Sequence, residues 1–221
     1  MPIHSDKLRL SYFPIPKNGT STLRAVFHAV EAGESLENVR TRGDDIAASL
    51  DTAARGIRRA RREYEASGSG YERLMVVRDP LRRFFSGFDN KIRSGRLEMV
   101  TGAPALPDTG LPTRPDIDTF VTHLDQYRAE SHMIRKHFRL QSHFTGDELG
   151  WFDHLFRLER FDALADFLTG RLGAPIAFPH EKRSDKSWTD SVPAATVERI
   201  REVYARDYDV LGTFLAPAAQ V

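Results

Sequence analysis

The segment Pro14-Ile15-Pro16-Lys17-Asn18-Gly19-Thr20-Ser21-Thr22 contains a lysine, a glycine and three consecutive hydroxyl side chains. Residues 7–13 before it alternate polar and apolar side chains, as a strand does, and Thr20 to about Glu31 has apolar residues at helical spacing. A loop that joins a strand to a helix presents unpaired N–H groups and the positive end of the helix dipole. An anion such as a phosphate group fits there, and Lys17 adds a mobile positive charge.

Two interpretations of this loop stay open on the residues alone. Either it binds a phosphate, or Thr20, Ser21 and Thr22 only cap the helix, for which Ser and Thr are well suited, while Lys17 is solvated. The kinase P-loop pattern G-x-x-x-x-G-K-[ST] does not fit, because Lys17 precedes the only glycine of the segment.

A second phosphate signature follows the apolar run at 74–77, which is typical of a buried parallel strand. Arg78 comes directly after this run, and Ser86 lies about two turns into a helix predicted over 81–93. A guanidinium binds phosphate oxygens as a bidentate fork, and a serine hydroxyl adds a further donor. For Arg83, two roles stay open: a phosphate contact, or an ion pair with a carboxylate on a neighbouring helix.

Both signatures resemble motifs of the sulfotransferases that use 3′-phosphoadenosine 5′-phosphosulfate (PAPS). The order Pro16-Lys17-x-Gly19-Thr20-Ser21-Thr22 resembles the 5′-phosphosulfate loop, and the spacing R-x-P-x-x-R-x-x-S-x-[FY] from Arg78 resembles the 3′-phosphate motif. Residues 141–143, 152–161, 179–186 and 204–208 resemble, more loosely, the carbohydrate (Golgi-type) branch of that family.

The resemblance implies a P-loop-like sulfotransferase fold, PAPS as sulfate donor, and a hydroxyl acceptor such as an oligosaccharide or glycolipid. It implies that Lys17 is catalytic, by neutralising charge on the leaving oxygen. The residues implied in donor binding are Lys17, Asn18, Gly19, Thr20, Ser21, Thr22, Arg78, Ser86, Lys182 and Arg183.

Sulfuryl transfer also needs a base for the acceptor hydroxyl. Histidine has a suitable pKa, and His143 is the preferred candidate because it lies in the stretch that resembles the carbohydrate branch. The base is not fixed by the sequence, and the alternatives are His28, His132, His137, Glu31, Asp89 and Glu130. The histidine spacing indicates no metal site, and none is required by this reaction.

The elements that must position these residues alternate between strands and helices, which predicts an α/β fold with a central, mostly parallel sheet flanked by helices. Asp79 and Pro80 are favoured at a helix start. Further elements are predicted as a strand at 153–158 and helices at 44–64, 116–127, 129–137, 161–172 and 193–211. Long loops are predicted at 95–115 and 174–192. We expect one domain over residues 1–221, because this length suits a single core.

The composition excludes several classes of protein. The chain has no cysteine, so disulfides and thiolate chemistry are excluded, and a net charge of +1 does not favour nucleic-acid binding. No apolar stretch is long enough to cross a bilayer, and the N-terminus has no secretory signal, so we expect a cytoplasmic protein.

One local exception is a run of five arginines in the predicted helix 44–64, in which Arg55, Arg58, Arg59 and Arg62 cluster on one basic face and Arg61 lies beside them in the sequence. This face is either simply solvated or a site for an acidic glycan.

The sequence therefore predicts a PAPS-dependent sulfotransferase. Two other functions stay open: a non-catalytic module that binds adenine nucleotides such as PAP, the desulfated product, and a P-loop kinase.

Overall fold

The computed structural model describes residues 2–41, 56–176 and 187–215. The strands in this part of the chain are β1 Ile3–Ser5, β2 Leu10–Phe13, β3 Glu72–Val77 and β4 His154–Arg157. The α-helices are α1 Thr20–Ala32, α2 Leu36–Thr41, α3 Ile57–Ser67, α4 Pro80–Phe88, α5 Arg96–Thr101, α6 Ile117–Thr122, α7 Leu124–Glu130, α8 His132–Phe138, α9 Ser142–Thr145, α10 Phe161–Leu172, α11 Ala194–Val203 and α12 Ala205–Leu215. A π-helical turn spans Asp89–Arg93, and 3₁₀ turns span Leu149–Trp151, Leu158–Arg160 and Ser187–Ser191.

The chain forms two compact units, Met1–Arg78 with Gln141–Glu181 and Asp79–Leu140 with Lys182–Val221. The first unit contains the sheet, and the second is helical. A single domain over residues 1–221 stays a prediction.

The sheet of the first unit has the order β1-β2-β3-β4. β1 pairs antiparallel with β2, whereas β2, β3 and β4 are parallel, with Phe13 opposite Met75 and Val77 opposite Arg157. The predicted α/β class with a mostly parallel sheet is confirmed. Because the parallel strands end at one edge, the segments that follow β2, β3 and β4 emerge side by side.

Alternating side chains bury both faces of this sheet. Leu10 and Tyr12 of β2 share one hydrophobic core with residues of β3, α1, α2 and α10. On the other face, Phe13 packs against Tyr64 of α3 and against Trp151 and Phe152. Coverage of both faces is typical of a parallel sheet, and it explains the apolar runs in the central strands β2 and β3.

The second unit has an aromatic core. Phe84 and Phe88 of α4 pack with Phe120 and Phe138, and Phe84 also contacts Tyr204. Both α4 rings are almost fully buried, so they are core residues rather than a surface for a base to stack on.

Several predicted boundaries differ from the structure. The loop predicted at 95–115 contains α5, because Gly95 and Gly102, both in the left-handed region, bracket this helix rather than prevent it. The helix predicted over 81–93 changes to a π-helical turn after Phe88.

Two of the predicted helices, one C-terminal and one central, are each interrupted in the structure. The helix predicted over 193–211 breaks at Tyr204, whose buried hydroxyl donates to Phe138 O at 2.7 Å. The helix predicted over 116–127 breaks at His123. The break at Tyr204 coincides with a tertiary hydrogen bond, which helical periodicity does not report.

Part of the predicted helix 44–64 and most of the predicted loop 174–192 lie outside the described residues, and α3 represents the end of that helix. Within the described ranges, no helix is both long and apolar enough to span a bilayer.

Candidate functional site

The loop between β2 and α1 has a constrained backbone. Lys17 has φ +72° and Gly19 has φ +73°, so two of its residues are left-handed. Asn18 N donates to Ile15 O at 3.2 Å, and the Thr20 hydroxyl donates to the same carbonyl at 2.6 Å. One of the three predicted phosphate-binding hydroxyls therefore stabilises the loop itself in this structure.

Gly19 is required for two reasons. Its left-handed backbone suits glycine, and a Cβ there would stand 2.9 Å from Leu158 Cδ1, in the turn after β4. The turn after β4 therefore packs against the loop after β2, across the end of β3.

The N-terminus of α1 has the electrostatic character of an anion site. The 13-residue helix has no acidic side chain in its first turn, so nothing there offsets the positive end of its dipole. The N–H of Leu23 donates to Gly19 O. The N–H groups of the residues before Leu23 come before the first backbone hydrogen bond of the helix. Ser21 is exposed, and Thr22 is partly exposed.

Arg78 lies beside this loop, as expected for residues that end neighbouring parallel strands. Its Nη1 donates to Lys17 O at 3.1 Å, and its Nε lies 3.7 Å from Glu159 Oε1. Both charged side chains are only 14% exposed. The structure thus brings together Arg78, the Lys17 backbone and a carboxylate that was not among the predicted site residues.

A buried pair of carboxamides links the same segments. Asn18 and Gln141 are both fully buried, and Asn18 Nδ2 donates to Gln141 Oε1 at 2.7 Å and to Val76 O at 2.9 Å. Gln141 was missed as a site residue because no local pattern marks a glutamine as buried. Its position in a stretch that resembles the carbohydrate branch was the one available signal.

The remainder of the second phosphate signature lies in the second unit. Asp79 caps α4 by accepting from Arg82 N at 2.8 Å, and Pro80 is the first helical residue, as predicted. Ser86 is partly exposed on this helix. Its predicted contact with a 3′-phosphate stays a prediction.

Arg83 has a structural role in this unit. The side chain is 1% exposed and donates to Arg139 O at 2.8 Å and His137 O at 3.3 Å. Burial lowers the pKa of Arg83, and the charges of Tyr204 and Asp207 oppose that effect. These contacts are with backbone carbonyls and test neither role left open for Arg83, the phosphate contact or the ion pair with a carboxylate.

The candidate bases are dispersed. His143 is exposed on α9, with its ring against the backbone of Gly56, where a Cβ would stand 2.6 Å from His143 Nε2. Along α1, His28 and Glu31 lie about 12 and 16 Å from the start of the helix at Thr20. Glu31 accepts from Ser5 Oγ at 2.5 Å, and its role there is structural.

The candidates in the second unit also have partners. Asp89 pairs with Arg93 at 2.8 Å, and Glu130 accepts from Asp108 N at 3.0 Å. His137 Nδ1 lies 2.8 Å from Met133 O, whereas His132 is exposed. None of these contacts tests the choice of base, and His143 stays a prediction.

The remaining predicted features are described in part. Lys182, Arg183 and Arg55 lie outside the described residues. On α3, Arg59 pairs with Glu63 at 2.8 Å, and Arg61 pairs with Glu148 at 3.2 Å. Arg61 also lies over the Trp151 ring, whereas Arg58 and Arg62 are exposed. Among the residues described, no group of His, Asp or Glu side chains is arranged to hold a metal ion.

Comparison with known protein families gives a match over most of the chain. A family model described as "Sulfotransferase family" matches residues 3–213, nearly the whole chain. No curated protein and no solved structure matches significantly.

Proposed function

Because the chain belongs to the sulfotransferase family, whose members use PAPS as donor, we propose that it transfers a sulfuryl group from PAPS to a hydroxyl of a carbohydrate or glycoconjugate. The observation that supports the proposal most is the convergence of the Lys17 loop and Arg78 at the ends of adjacent parallel strands. A cytoplasmic location and the absence of a metal requirement belong to the same proposal.

The residues of the first unit fit an anionic donor. The α1 N-terminus has no acidic residue in its first turn, and the left-handed Gly19 directly precedes it. The exposed hydroxyl of Ser21 and the N–H groups of this turn would hold the 5′-phosphosulfate. Within this unit, Arg78 would hold the 3′-phosphate. The roles of Ser86, Lys182 and Arg183 in donor binding stay predictions from the sequence.

The chemistry is then a matter of positioning and charge. PAPS supplies an activated sulfuryl group on a phosphate oxygen that gains negative charge as the S–O bond breaks. The Lys17 ammonium would stabilise this charge, which develops chiefly in the transition state. His143 would accept the proton of the acceptor hydroxyl, whose oxygen forms the new S–O bond.

The decisive experiment combines ligand binding and turnover. PAP at about 100 times its Kd should add about 2.7 kcal/mol of stability, which for this chain length raises Tm by roughly 5–10 °C. AMP, which has no 3′-phosphate, should give a smaller shift. With PAPS, mass spectrometry of a glycan panel should detect a mass increase of one sulfate. The Lys17→Ala substitution should reduce turnover far more than it weakens PAP binding.

Other outcomes would overturn the proposal. PAP binding with no sulfated product from any acceptor indicates a non-catalytic nucleotide-binding module. Transfer that requires Mg²⁺ and ATP indicates a kinase. Tm shifts with PAP that are equal in wild type and Arg78→Ala would exclude Arg78 from the donor site, with Arg82→Ala, an exposed arginine on α4, as the matched control.

A further inference from the structure

Gln141 connects the two segments that the proposed function assigns to the donor. Its Oε1 accepts from Asn18 Nδ2 at 2.7 Å and from the backbone N–H of Arg78 at 3.0 Å. Its Nε2 donates to Arg78 O at 2.7 Å. A single carboxamide thus pairs with both backbone groups of Arg78 and with the side chain at the centre of the Lys17 loop.

This contact set requires the chemistry of glutamine. The group must offer an acceptor and a donor in one plane, which an amide does. An ionised carboxylate has no donor for Arg78 O, and an apolar side chain of similar length satisfies none of the three contacts. Since Gln141 is fully buried, each lost contact would leave a buried polar group without its partner.

The loop that Gln141 holds has an energetically unfavourable shape. Lys17 is left-handed without being glycine, a backbone conformation that L-residues rarely adopt. Within the described residues, the buried Asn18 Oδ1 has no hydrogen-bond partner. A buried polar atom of this kind is unfavourable, because it has lost its hydrogen bond to water without gaining another. A loop selected only for stability would avoid both features, so its shape is held by its surroundings.

We propose that Gln141 is a positioning residue for sulfuryl transfer, which fixes the loop of Lys17 and the backbone of Arg78 in one register. The inference rests on the proposed function. Gln141 is buried and acts through Asn18 and Arg78 rather than on the donor. Because misplacement of a catalytic group by about 1 Å can reduce a rate by about 100-fold, loss of this clamp should appear mainly in kcat.

The first test uses Gln141→Met, which preserves length and removes all three hydrogen bonds. In the protein without ligand, amide hydrogen exchange over residues 15–22 should rise at least about tenfold, as expected when a local opening becomes easier by about 1.4 kcal/mol. The kcat of the variant should fall by about 10- to 100-fold, and the Kd of PAP should change much less. Ser11→Ala is the matched control, since Ser11 is also fully buried in the first unit and bonds to His4 Nδ1 at 2.8 Å. It should lower Tm without changing kcat.

The second variant, Gln141→Glu, remains informative if Gln141→Met does not fold. When protonated, the introduced carboxyl offers a donor and an acceptor as glutamine does, and when ionised it offers acceptors only. Burial raises the pKa of such a group, so kcat relative to wild type should recover as the pH falls. A purely structural role would give no such recovery.

The inference and the proposed function fail in different ways. If wild type is active and Gln141→Met alters Tm but neither kcat nor the exchange of residues 15–22, Gln141 has no positioning role. A flat ratio of Gln141→Glu to wild-type kcat across pH would also overturn it. If wild type neither binds PAP nor forms a sulfated product, the proposed function is wrong and the inference is wrong with it.

Discussion

Arg78 and Glu159 form an ion pair at the edge of the sheet, with 3.7 Å between Nε and Oε1 and 14% exposure of each side chain. The pair joins the end of β3 to the turn after β4. The cation assigned to a phosphate is therefore already compensated by a carboxylate in the protein without ligand, and a bound phosphate would compete with Glu159 for it.

We predict opposite effects of Glu159→Gln on stability and on binding. Without ligand, the variant should be less stable by about 1–3 kcal/mol, because Arg78 loses a partner in a largely buried site. PAP should bind it more tightly, because the phosphate then supplies the missing charge. Thermal denaturation with and without PAP measures both effects. Glu148→Gln, which removes a 77% exposed partner of Arg61, should change neither. Weaker PAP binding in Glu159→Gln would contradict the competition.

Gly19→Ala should destabilise the protein by about 2–4 kcal/mol, from a left-handed alanine and the contact with Leu158. Gly68→Ala is the matched control, because Gly68 also has positive φ but has no atom within 4 Å of the added methyl. Chemical denaturation of both variants separates the backbone cost from the contact. Equal losses would show that Leu158 yields, and the double variant Gly19→Ala, Leu158→Ala should recover the contact part of the loss.

Lys17 should lower stability through its left-handed backbone while its ammonium group supports activity. Replacement by glycine relieves the left-handed backbone, whereas replacement by alanine does not, so Lys17→Gly should be more stable than Lys17→Ala by about 0.5–1 kcal/mol. Neither variant should form sulfated product at a significant rate, because both lack the ammonium. Urea titration and product formation give the two measurements, and an alanine variant at least as stable as the glycine variant would argue against strain at this position.

Arg83→Lys should lower the free energy of unfolding by about 2–4 kcal/mol, because an ammonium cannot replace the planar guanidinium that donates to Arg139 O and His137 O. Arg82→Lys on the same helix is exposed and should have almost no effect. If Arg83→Lys instead preserves stability but abolishes PAP binding, the phosphate role of Arg83 is restored.

The Arg73–Asp153 pair should produce a pH dependence of stability. Two hydrogen bonds of 2.7 Å from the guanidinium lower the pKa of Asp153 to about 2, below the value of about 3.9 for a free aspartate. The contribution of the ionised carboxylate is therefore complete above about pH 4 and is lost as the pH falls through about 2.

Asp153→Asn should reduce stability at neutral pH by only about 1 kcal/mol, since solvent screens this partly exposed pair. The difference from wild type should shrink between about pH 4 and pH 2 in thermal scans. Asp162→Asn is the control, because Asp162 and its partner Arg160 are both 68% exposed. A difference that stays constant over this range would rule out the proposed titration.

The sequence alone determined the features that depend on neighbouring residues. The β2–loop–α1 unit, the buried strand before Arg78 and the Asp79-Pro80 start of α4 were all predicted, because alternation, helical periodicity and capping are local signals. The order of residues around Lys17 and Arg78 was enough to identify the family.

Only the tertiary structure decided which distant side chains support those motifs. Asn18 and Gln141 are 123 positions apart, yet they share a buried hydrogen bond. Glu159 reaches Arg78 because β3 and β4 are parallel neighbours, and Arg83 faces backbone carbonyls because α4 packs against the end of α8. These partners are chosen by the packing of the whole chain, since a buried polar group pairs with whatever donor or acceptor the fold brings to it, and spacing along the sequence does not encode that choice.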